Sequence, residues 1–269
     1  MRTKFRHLFL EELYLRRFGF LIWFLVIAGF VAIFASYGKI MVNNKDLTEF
    51  FDQYPQQLMD AFNFDAELLT TYEGWMATEP YMFFALLLCI YAAMLASSTV
   101  AREVDQKTGE FLFSLPAERR RIYDAKAASH LVQYTLVGAA SVLLAALIGE
   151  AVMGLENASG LVLNYLAAYL AALASAGIGY AITSFVDSER IALSGSIGFV
   201  VLSFLLNSFA NLDKSIRWLA KLSIFHAFDP GTILAERTLP AGGVLLMLAI
   251  CLGGFFLGRE ALARKDLTF

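Results

Sequence analysis

The chain has 269 residues, of which 58% are hydrophobic and 17% are charged, and its formal net charge at pH 7 is −3. A globular protein is typically about half apolar and a quarter charged, so this composition excludes an ordinary soluble domain and indicates a membrane protein. The basic residues are spread along the chain instead of being clustered on one face, and we therefore expect no nucleic-acid partner.

Six long stretches of the sequence contain no Asp, Glu, Lys or Arg. A hydrocarbon core about 30 Å thick needs roughly 20 helical residues, and each stretch is long enough to cross it once. We therefore predict an all-α membrane protein with six transmembrane helices in a single domain over residues 1–269. The predicted spans are 18–38, 80–101, 127–149, 160–186, 191–210 and 240–258.

Lys and Arg determine the orientation, because positively charged loops remain in the cytoplasm. If the N-terminus is cytoplasmic, 15 of the 21 basic residues fall in cytoplasmic segments. The sequence thus predicts that both termini are cytoplasmic. We expect a multi-pass membrane protein, and the family resemblance given below implies a bacterial-type plasma membrane.

Ahead of the first span, residues 2–17 combine regularly spaced apolar residues with several cations. Phe5, Leu8, Phe9 and Leu13 recur at helical spacing. This pattern predicts an amphipathic helix in the inner membrane interface.

The predicted outer loop, 39–80, is too long for a simple turn. Its apolar residues recur every three or four positions: Leu47, Phe50, Phe51, Tyr54, Leu58 and Phe62. We interpret it as two short interfacial helices on the outer face, with the second beginning at Pro55. Capping of the bundle is favoured over gating of an exit.

Between the second and third spans, residues 101–121 read AREVDQKTGEFLFSLPAERRR. On a helical wheel, Val104, Thr108, Phe111, Leu112 and Leu115 share one side, whereas Phe113 points to the other. Pro116 ends the helix, because a residue before proline disfavours the helical conformation. This pattern predicts an amphipathic cytoplasmic helix. Either its protruding Phe113 binds a groove of a partner protein, or the helix is only a solvated linker between the two spans.

Later segments indicate close helix packing. Residues 187–190 are so short that they predict a tight cytoplasmic hairpin between spans four and five. Small residues follow the spacing that allows helix backbones to approach: Ala171, Ser175, Gly179, Gly195, Gly198, Gly254 and Gly258. Residues 211–240 predict an amphipathic outer helix followed by a turn at Asp229, Pro230 and Gly231.

No catalytic or metal-binding motif is found along the chain. It lacks a GxxxxGK[ST] phosphate loop, and His7, His130 and His226 lack ligand spacing, so we expect packing or interfacial histidines, no metal and no enzymatic activity of its own. Gln133, Asn164 and Asn207 are polar residues within spans. They are candidates for a translocation path, with hydrogen bonding between helices as the favoured alternative.

The charged segment and its neighbourhood carry a family resemblance. The stretch from Arg102 to Lys126 resembles the first cytoplasmic loop of the type-2 (exporter-type) ABC transporter permeases. The matching residues are Glu103, Thr108, Glu110, Ser114, Leu115, Pro116, Arg119 and Lys126, although Lys107 stands where the family usually has glycine. Residues 216–234, IRWLAKLSIFHAFDPGTIL, are also similar to the family's segment before its last span.

This resemblance implies a coupling helix that docks onto a separate ATP-hydrolysing subunit. The implied docking residues are Arg102, Glu103, Thr108, Glu110, Phe111, Leu112, Phe113, Pro116 and Arg119. It further implies that ATP and Mg²⁺ bind to the partner ATPase, and that two permeases, identical or different, pair in the lipid bilayer. The expected function is outward transport of a hydrophobic or amphipathic substrate such as a peptide, drug or lipid.

Two other functions fit parts of this pattern. An ABC importer permease shares the spacing of Glu103 and Gly109, but its loop lies later in the chain and ends well beyond the position of Pro116. A passive channel or a membrane anchor without ATP coupling is the alternative from another class. Such a chain would purify without an ATPase.

Overall fold

A computed structural model describes residues 5–42, 44, 66–105, 117–210, 212 and 215–264. These residues form helices and short connections, without a strand in the ranges described. The α-helices are α1 (Phe5–Leu15), α2 (Arg17–Met41), α3 (Tyr72–Ala77), α4 (Glu79–Asp105), α5 (Arg119–Val152), α6 (Ala158–Phe185), α7 (Glu189–Ala210), α8 (Pro230–Glu236) and α9 (Ala241–Arg264). Short 3₁₀ helices cover Ala66–Thr70, Arg217–Leu222 and Ile224–Ala227.

Six of these helices, α2, α4, α5, α6, α7 and α9, are long and apolar enough to cross a membrane. They confirm the prediction of six helices that are candidates to span a membrane. α5 begins at Arg119, eight residues before the predicted start at 127. The prediction is too short because a charge-free run marks only the apolar part of a helix and not the charged turns at its end. The tight hairpin after α6 is also confirmed, since α7 begins at Glu189.

The core of the bundle is the pair α4 and α6. In an apolar 18-residue stretch of each helix, 72% of the residues are buried in α4 and 67% in α6. In the corresponding stretches of α2 and α9, 17% are buried. α2 and α9 therefore lie at the outside, where their apolar side chains would contact lipid in a membrane.

Small residues of α6 and α9 allow helices to approach closely, as their spacing predicts. The prediction is wrong for Gly198 of α7, where an added Cβ would meet nothing within 4 Å. A Cβ atom added to Gly254 of α9 would lie 1.9 Å from the carbonyl oxygen of Gly177 in α6. A Cβ added to Gly179 would lie 2.8 Å from the carbonyl oxygen of Ala93 in α4. Real Cβ atoms cannot come so near, so glycine is required at both crossings.

The long helices end at two faces of the bundle. We call one face the basic end: it contains the starts of α2, α5 and α7, the ends of α4, α6 and α9, and α1. The other face is called the opposite end. The structure contains no bilayer, and the assignment of the basic end to the cytoplasm stays a prediction.

At the opposite end, α3 fastens neighbouring helices together. The Tyr72 hydroxyl donates to the carbonyl of Ala145 at 2.6 Å, and the Trp75 indole donates to the carbonyl of Phe34 at 2.9 Å. The Glu73 carboxylate is buried and accepts the backbone N–H of Asn157 at 2.6 Å. The predicted helices around Leu47 to Phe62 lie outside the described residues.

The predicted turn at residues 229–231 is wrong. These residues begin α8 instead, because the Asp229 carboxylate caps the helix by accepting the backbone N–H of Thr232 at 2.6 Å. Pro230 occupies the first turn, where it has no N–H to lose and its fixed φ suits a helix. Aspartate followed by proline is a helix-start signal as well as a turn signal.

α1 is a helix, as predicted, and one side of it packs against protein. Leu8 is buried and contacts Ile122 and Ala125 at the start of α5. Glu12, one turn further along α1, is also buried. Phe5, Leu10 and Tyr14 remain exposed. The interfacial position of α1 in a membrane stays a prediction.

Candidate functional site

The candidate site is the base of the 106–116 loop, at the basic end. Of the predicted docking residues, Thr108, Glu110, Phe111, Leu112, Phe113 and Pro116 lie outside the described residues. Arg102, Glu103 and Arg119 are described and lie at its two flanks, on α4 and α5. The contacts made by these flanks determine what a displacement of the loop would move.

Lys126 forms the centre of a buried charge cluster. Its ammonium lies 2.6 Å from Oε1 of Glu103 and 3.2 Å from Oε2 of Glu12. The Lys126 and Glu12 side chains are 7% exposed, and that of Glu103 is 17% exposed. The cluster therefore joins α1, the end of α4 and the start of α5 in a site nearly free of water.

Glu12 has two further partners: Arg16, which follows it by four residues, and His130, which follows Lys126 by four residues on α5. Its Oε1 accepts a hydrogen bond from Nε of Arg16 and lies 3.4 Å from Nε2 of His130. Burial opposes ionisation of the Glu12 carboxyl. The hydrogen bond with His130 and the charges of Lys126 and Arg16 outweigh it and hold the pKa of Glu12 well below its usual range. Glu12 is thus a carboxylate that balances two cations.

His130 extends the cluster to a fourth helix. Its Nδ1 lies 3.4 Å from the hydroxyl of Tyr180 in α6. Because a carboxylate can only accept, Nε2 of His130 carries a hydrogen toward Glu12, and in the neutral ring Nδ1 accepts from Tyr180. The sequence-based expectation of a packing histidine describes its burial but not these polar contacts.

A second, more exposed set of ion pairs connects α5 to the last helix. Arg259 contacts Asp124 through both Nε and Nη2, at 2.7 and 3.0 Å. Arg120 contacts Glu260 at 2.5 Å. Each pair is partly solvated and contributes little alone, but the two lie one helical turn apart and fix the orientation of α9 on α5.

The end of α4 is also connected to α7. The Asp105 carboxylate accepts the backbone N–H of Glu189 at 3.2 Å, at the first turn of α7. Negative charge is favourable there because the first backbone N–H groups of a helix lack partners within it. Both flanks of the loop are therefore tied to other helices: α4 to α5 and α7, and α5 to α1, α6 and α9.

The sequence matches a known protein family over most of its length. A family model described as ABC-2 family transporter protein matches residues 5–257, which is nearly the whole sequence. The chain belongs to the ABC-2 transporter family. No curated protein and no solved structure gives a significant match.

The family membership confirms the resemblance seen around residues 102–126. Together with the six apolar helices, it establishes a multi-pass membrane protein that is a permease of a transporter. An ABC-2 permease is a transport component that is generally not catalytic itself and normally works with ABC ATPase subunits. The loop base described above is thus part of an ABC-2 permease.

The structure places the three candidate path residues in different surroundings. Gln133 accepts a hydrogen bond from the Tyr91 hydroxyl at 3.2 Å in the middle of the bundle. Asn164 donates to the carbonyl of Pro230 at 3.2 Å, and Asn207 lines a cavity of about 300 Å³ that Pro230 also lines. Asn164 and Asn207 thus both lie near Pro230 toward the opposite end, apart from Gln133, and a role in translocation stays a prediction.

Sequence reasoning missed Glu12 and the polar role of His130. A usable signal is present, because Glu12 with Arg16 and Lys126 with His130 are both spaced by four residues, which puts each pair on one helix face. Each pair stands where a predicted helix meets the basic end. The partner of each face is set by tertiary packing and is not visible in the sequence.

Proposed function

We propose that this ABC-2 permease is the membrane-spanning subunit of an ATP-driven exporter. ATP and Mg²⁺ bind to a separate ABC ATPase subunit, and this chain pairs with a second permease copy, identical or different. The cargo moves outward across a bacterial-type plasma membrane. The apolar bundle suits a hydrophobic or amphipathic substrate, such as a peptide, a drug or a lipid.

The observation that supports this proposal most strongly is the attachment of both loop flanks. Glu103 is held by Lys126, Asp105 by the start of α7, and Asp124 by Arg259 of α9. A displacement of residues 106–116 would pass from α4 to α5 through the buried Glu103–Lys126 pair, which is costly to separate. The contacts with α7 and α9 are more exposed and add to this coupling. The loop base is therefore suited to passing a partner's motion to most of the bundle.

The proposed orientation follows from the basic residues. With the N-terminus in the cytoplasm, 15 of 21 Lys and Arg residues face that side. The basic end holds α1, the end of α9 and both flanks of the loop, and an ATPase in the cytoplasm would meet all of them. Residues 106–116, which the sequence predicts to be helical with Phe113 on the free side, are the proposed docking element.

Docking can be tested with Phe113→Asp in the full chain, co-expressed with an ABC ATPase that co-purifies with the wild-type permease. The expected result is a loss of most of the co-purifying ATPase and of substrate-stimulated ATP hydrolysis in lipid nanodiscs. A buried aromatic anchor at an interface contributes about 2 kcal/mol or more, so the affinity should fall at least about thirtyfold.

Phe185→Asp is the matched control, because Phe185 is exposed at the basic end but outside the loop. It should retain the ATPase. If Phe113→Asp also retains wild-type amounts of ATPase and transport, the docking role is wrong. A wild-type chain that purifies alone and conducts solute without ATP would support the alternative of a passive channel.

A further inference from the structure

A cavity of about 300 Å³ lies at the basic end between α2, α4 and α7. α2 and α7 lie at the outside of the bundle, because only 17% and 22% of the residues in their apolar 18-residue stretches are buried. The cavity therefore borders the membrane-facing surface. Its lining has a charged part and an apolar part. The charged part includes Arg16, Arg102 and Glu189, and the apolar part includes Phe20, Trp23 and Tyr91.

Two guanidinium groups of the lining have N–H groups without an acceptor among the described residues. The Arg16 side chain is 10% exposed, and its Nε is bonded to Glu12, but its Nη2 is buried without a partner among the described residues. Arg102 is half-buried and forms no ion pair within the described ranges. A buried N–H without an acceptor is costly, and a phosphate oxygen is the strongest acceptor for guanidinium.

Glu189 adds a negative charge to the same lining. Its backbone N–H is used by Asp105, but its carboxylate has no cation within ion-pair distance in the part of the chain described. A purely anionic ligand would be repelled by this carboxylate. A ligand with a phosphate and a nearby ammonium group would match both signs of charge.

The apolar part of the lining extends into the bundle. Tyr91 and Arg102 lie on the same helix, so at 1.5 Å per residue the lining covers about 16 Å along α4. Trp23 stacks on Tyr91 with ring centroids 5.4 Å apart, which makes a flat wall below the charged groups. A charged opening above an aromatic wall fits an amphiphile with its chain directed into the membrane.

We propose that this cavity binds an ethanolamine phospholipid from the adjoining leaflet. Its phosphate contacts Arg16 and Arg102, its ammonium contacts Glu189, and the upper part of an acyl chain lies against Phe20 and Trp23. Binding at this site needs neither ATP nor the ATPase, although Arg102 is also one of the docking residues that the family resemblance implies.

The test is lipid titration of the full-length permease, followed by native mass spectrometry. Phosphatidylethanolamine, phosphatidylcholine and phosphatidylglycerol with identical acyl chains serve as probes, and inorganic phosphate serves as a competitor. The wild-type chain should bind phosphatidylethanolamine about tenfold more tightly than the other two lipids, as expected for one additional charge-assisted hydrogen bond.

Two variants separate the contributions of the headgroup. Arg102→Gln should weaken binding of phosphatidylethanolamine about tenfold. Glu189→Gln should remove the preference for phosphatidylethanolamine over phosphatidylglycerol while binding of phosphatidylglycerol is retained, which also shows that the variant is folded. Arg190→Gln, an exposed arginine at the basic end outside the cavity, is the matched control and should bind like the wild type.

Three results would overturn the proposal. The first is equal binding of the three lipids by the wild-type chain. The second is a loss in Arg102→Gln no larger than the loss in Arg190→Gln. The third is displacement of phosphatidylethanolamine by inorganic phosphate alone, which would assign the arginines to a soluble phosphate instead of a lipid.

Discussion

Glu12 and His130 lie 118 positions apart in the sequence, yet Oε1 of the carboxylate is 3.4 Å from Nε2 of the imidazole. Glu12 comes from the helix before the first span, and His130 lies inside the third membrane-spanning helix. α1 is therefore held against the bundle by a buried polar contact and not only by its apolar side chains. This contact connects the N-terminal helix to the helix that follows the 106–116 loop.

Stability should depend on pH through Glu12. Its folded-state pKa is depressed, so ionised Glu12 stabilises the fold at neutral pH, and this contribution is lost as pH falls below about 4.3, where an unfolded glutamate becomes protonated. We expect the wild-type chain to have a higher melting temperature than Glu12→Gln at pH 7, and the difference to shrink toward pH 3. Thermal unfolding in detergent across this range measures it.

A surface carboxylate provides the control for this pH dependence. Glu11 is exposed on the other side of α1, and Glu11→Gln should melt like the wild type at every pH. A difference between wild type and Glu12→Gln that stays constant from pH 7 to pH 3 would contradict the account.

Lys126 should be the most sensitive charged residue of the loop base. Lys126→Met leaves the buried carboxylate of Glu103 without its cation at 2.6 Å, and breaking a buried pair in this way costs about 3–5 kcal/mol. The free energy of unfolding, measured by denaturant titration in mixed micelles, should fall by about that amount. Arg190→Met, which removes an exposed charge, should change it by less than about 0.5 kcal/mol.

The double variant Glu103→Gln/Lys126→Met tests the origin of that loss. Removing both charges should recover part of the stability, because position 103 then carries no unpaired charge and Glu12 keeps its contact with Arg16. Losses that simply add would show that the two residues act independently.

The crossing of α6 and α9 predicts a strong effect at Gly254. Gly254→Leu places a side chain where even a Cβ atom would lie 1.9 Å from the Gly177 carbonyl, so the two helices must separate. We expect a loss larger than the 1–3 kcal/mol typical of overpacking, seen as a lower melting temperature and as aggregation during size-exclusion chromatography.

The neighbouring glycine gives a matched comparison. A Cβ on Gly253 would meet nothing within 4 Å, so Gly253→Leu adds the same side chain to the same helix on its open side. It should be tolerated. Equal stability of the two variants would mean that α6 and α9 do not cross at Gly177 and Gly254.

The membrane-spanning helices could be predicted from the sequence because a charge in the bilayer centre is expensive, so charge-free runs mark spans directly. The same rule cannot find where a helix ends outside the bilayer. α5 begins at Arg119 because Arg120 and Asp124 have partners on α9. The start of α8 was read as a turn because Asp229 and Pro230 favour both structures, and only packing selects between them.

The site was only partly predictable for a similar reason. The loop flanks were located from Glu103, Arg119 and Lys126, whose spacing resembles that of the permease family. The contacts that hold these flanks come from α1, α6, α7 and α9, and they bring together residues separated by many turns of chain. Periodicity reports which face of a helix is polar, but it carries no information about the helix that covers that face.

The most direct test of the central claim is photo-crosslinking from the loop to the ATPase. Benzoylphenylalanine is placed at Phe113 or, as the control, at Phe185 in the full-length permease assembled with its ATPase in nanodiscs. The account predicts a crosslinked permease–ATPase product from position 113 and little from position 185. Absence of the product at 113, or equal yields from the two positions, would contradict the claim that residues 106–116 receive the motion of an ATP-hydrolysing partner.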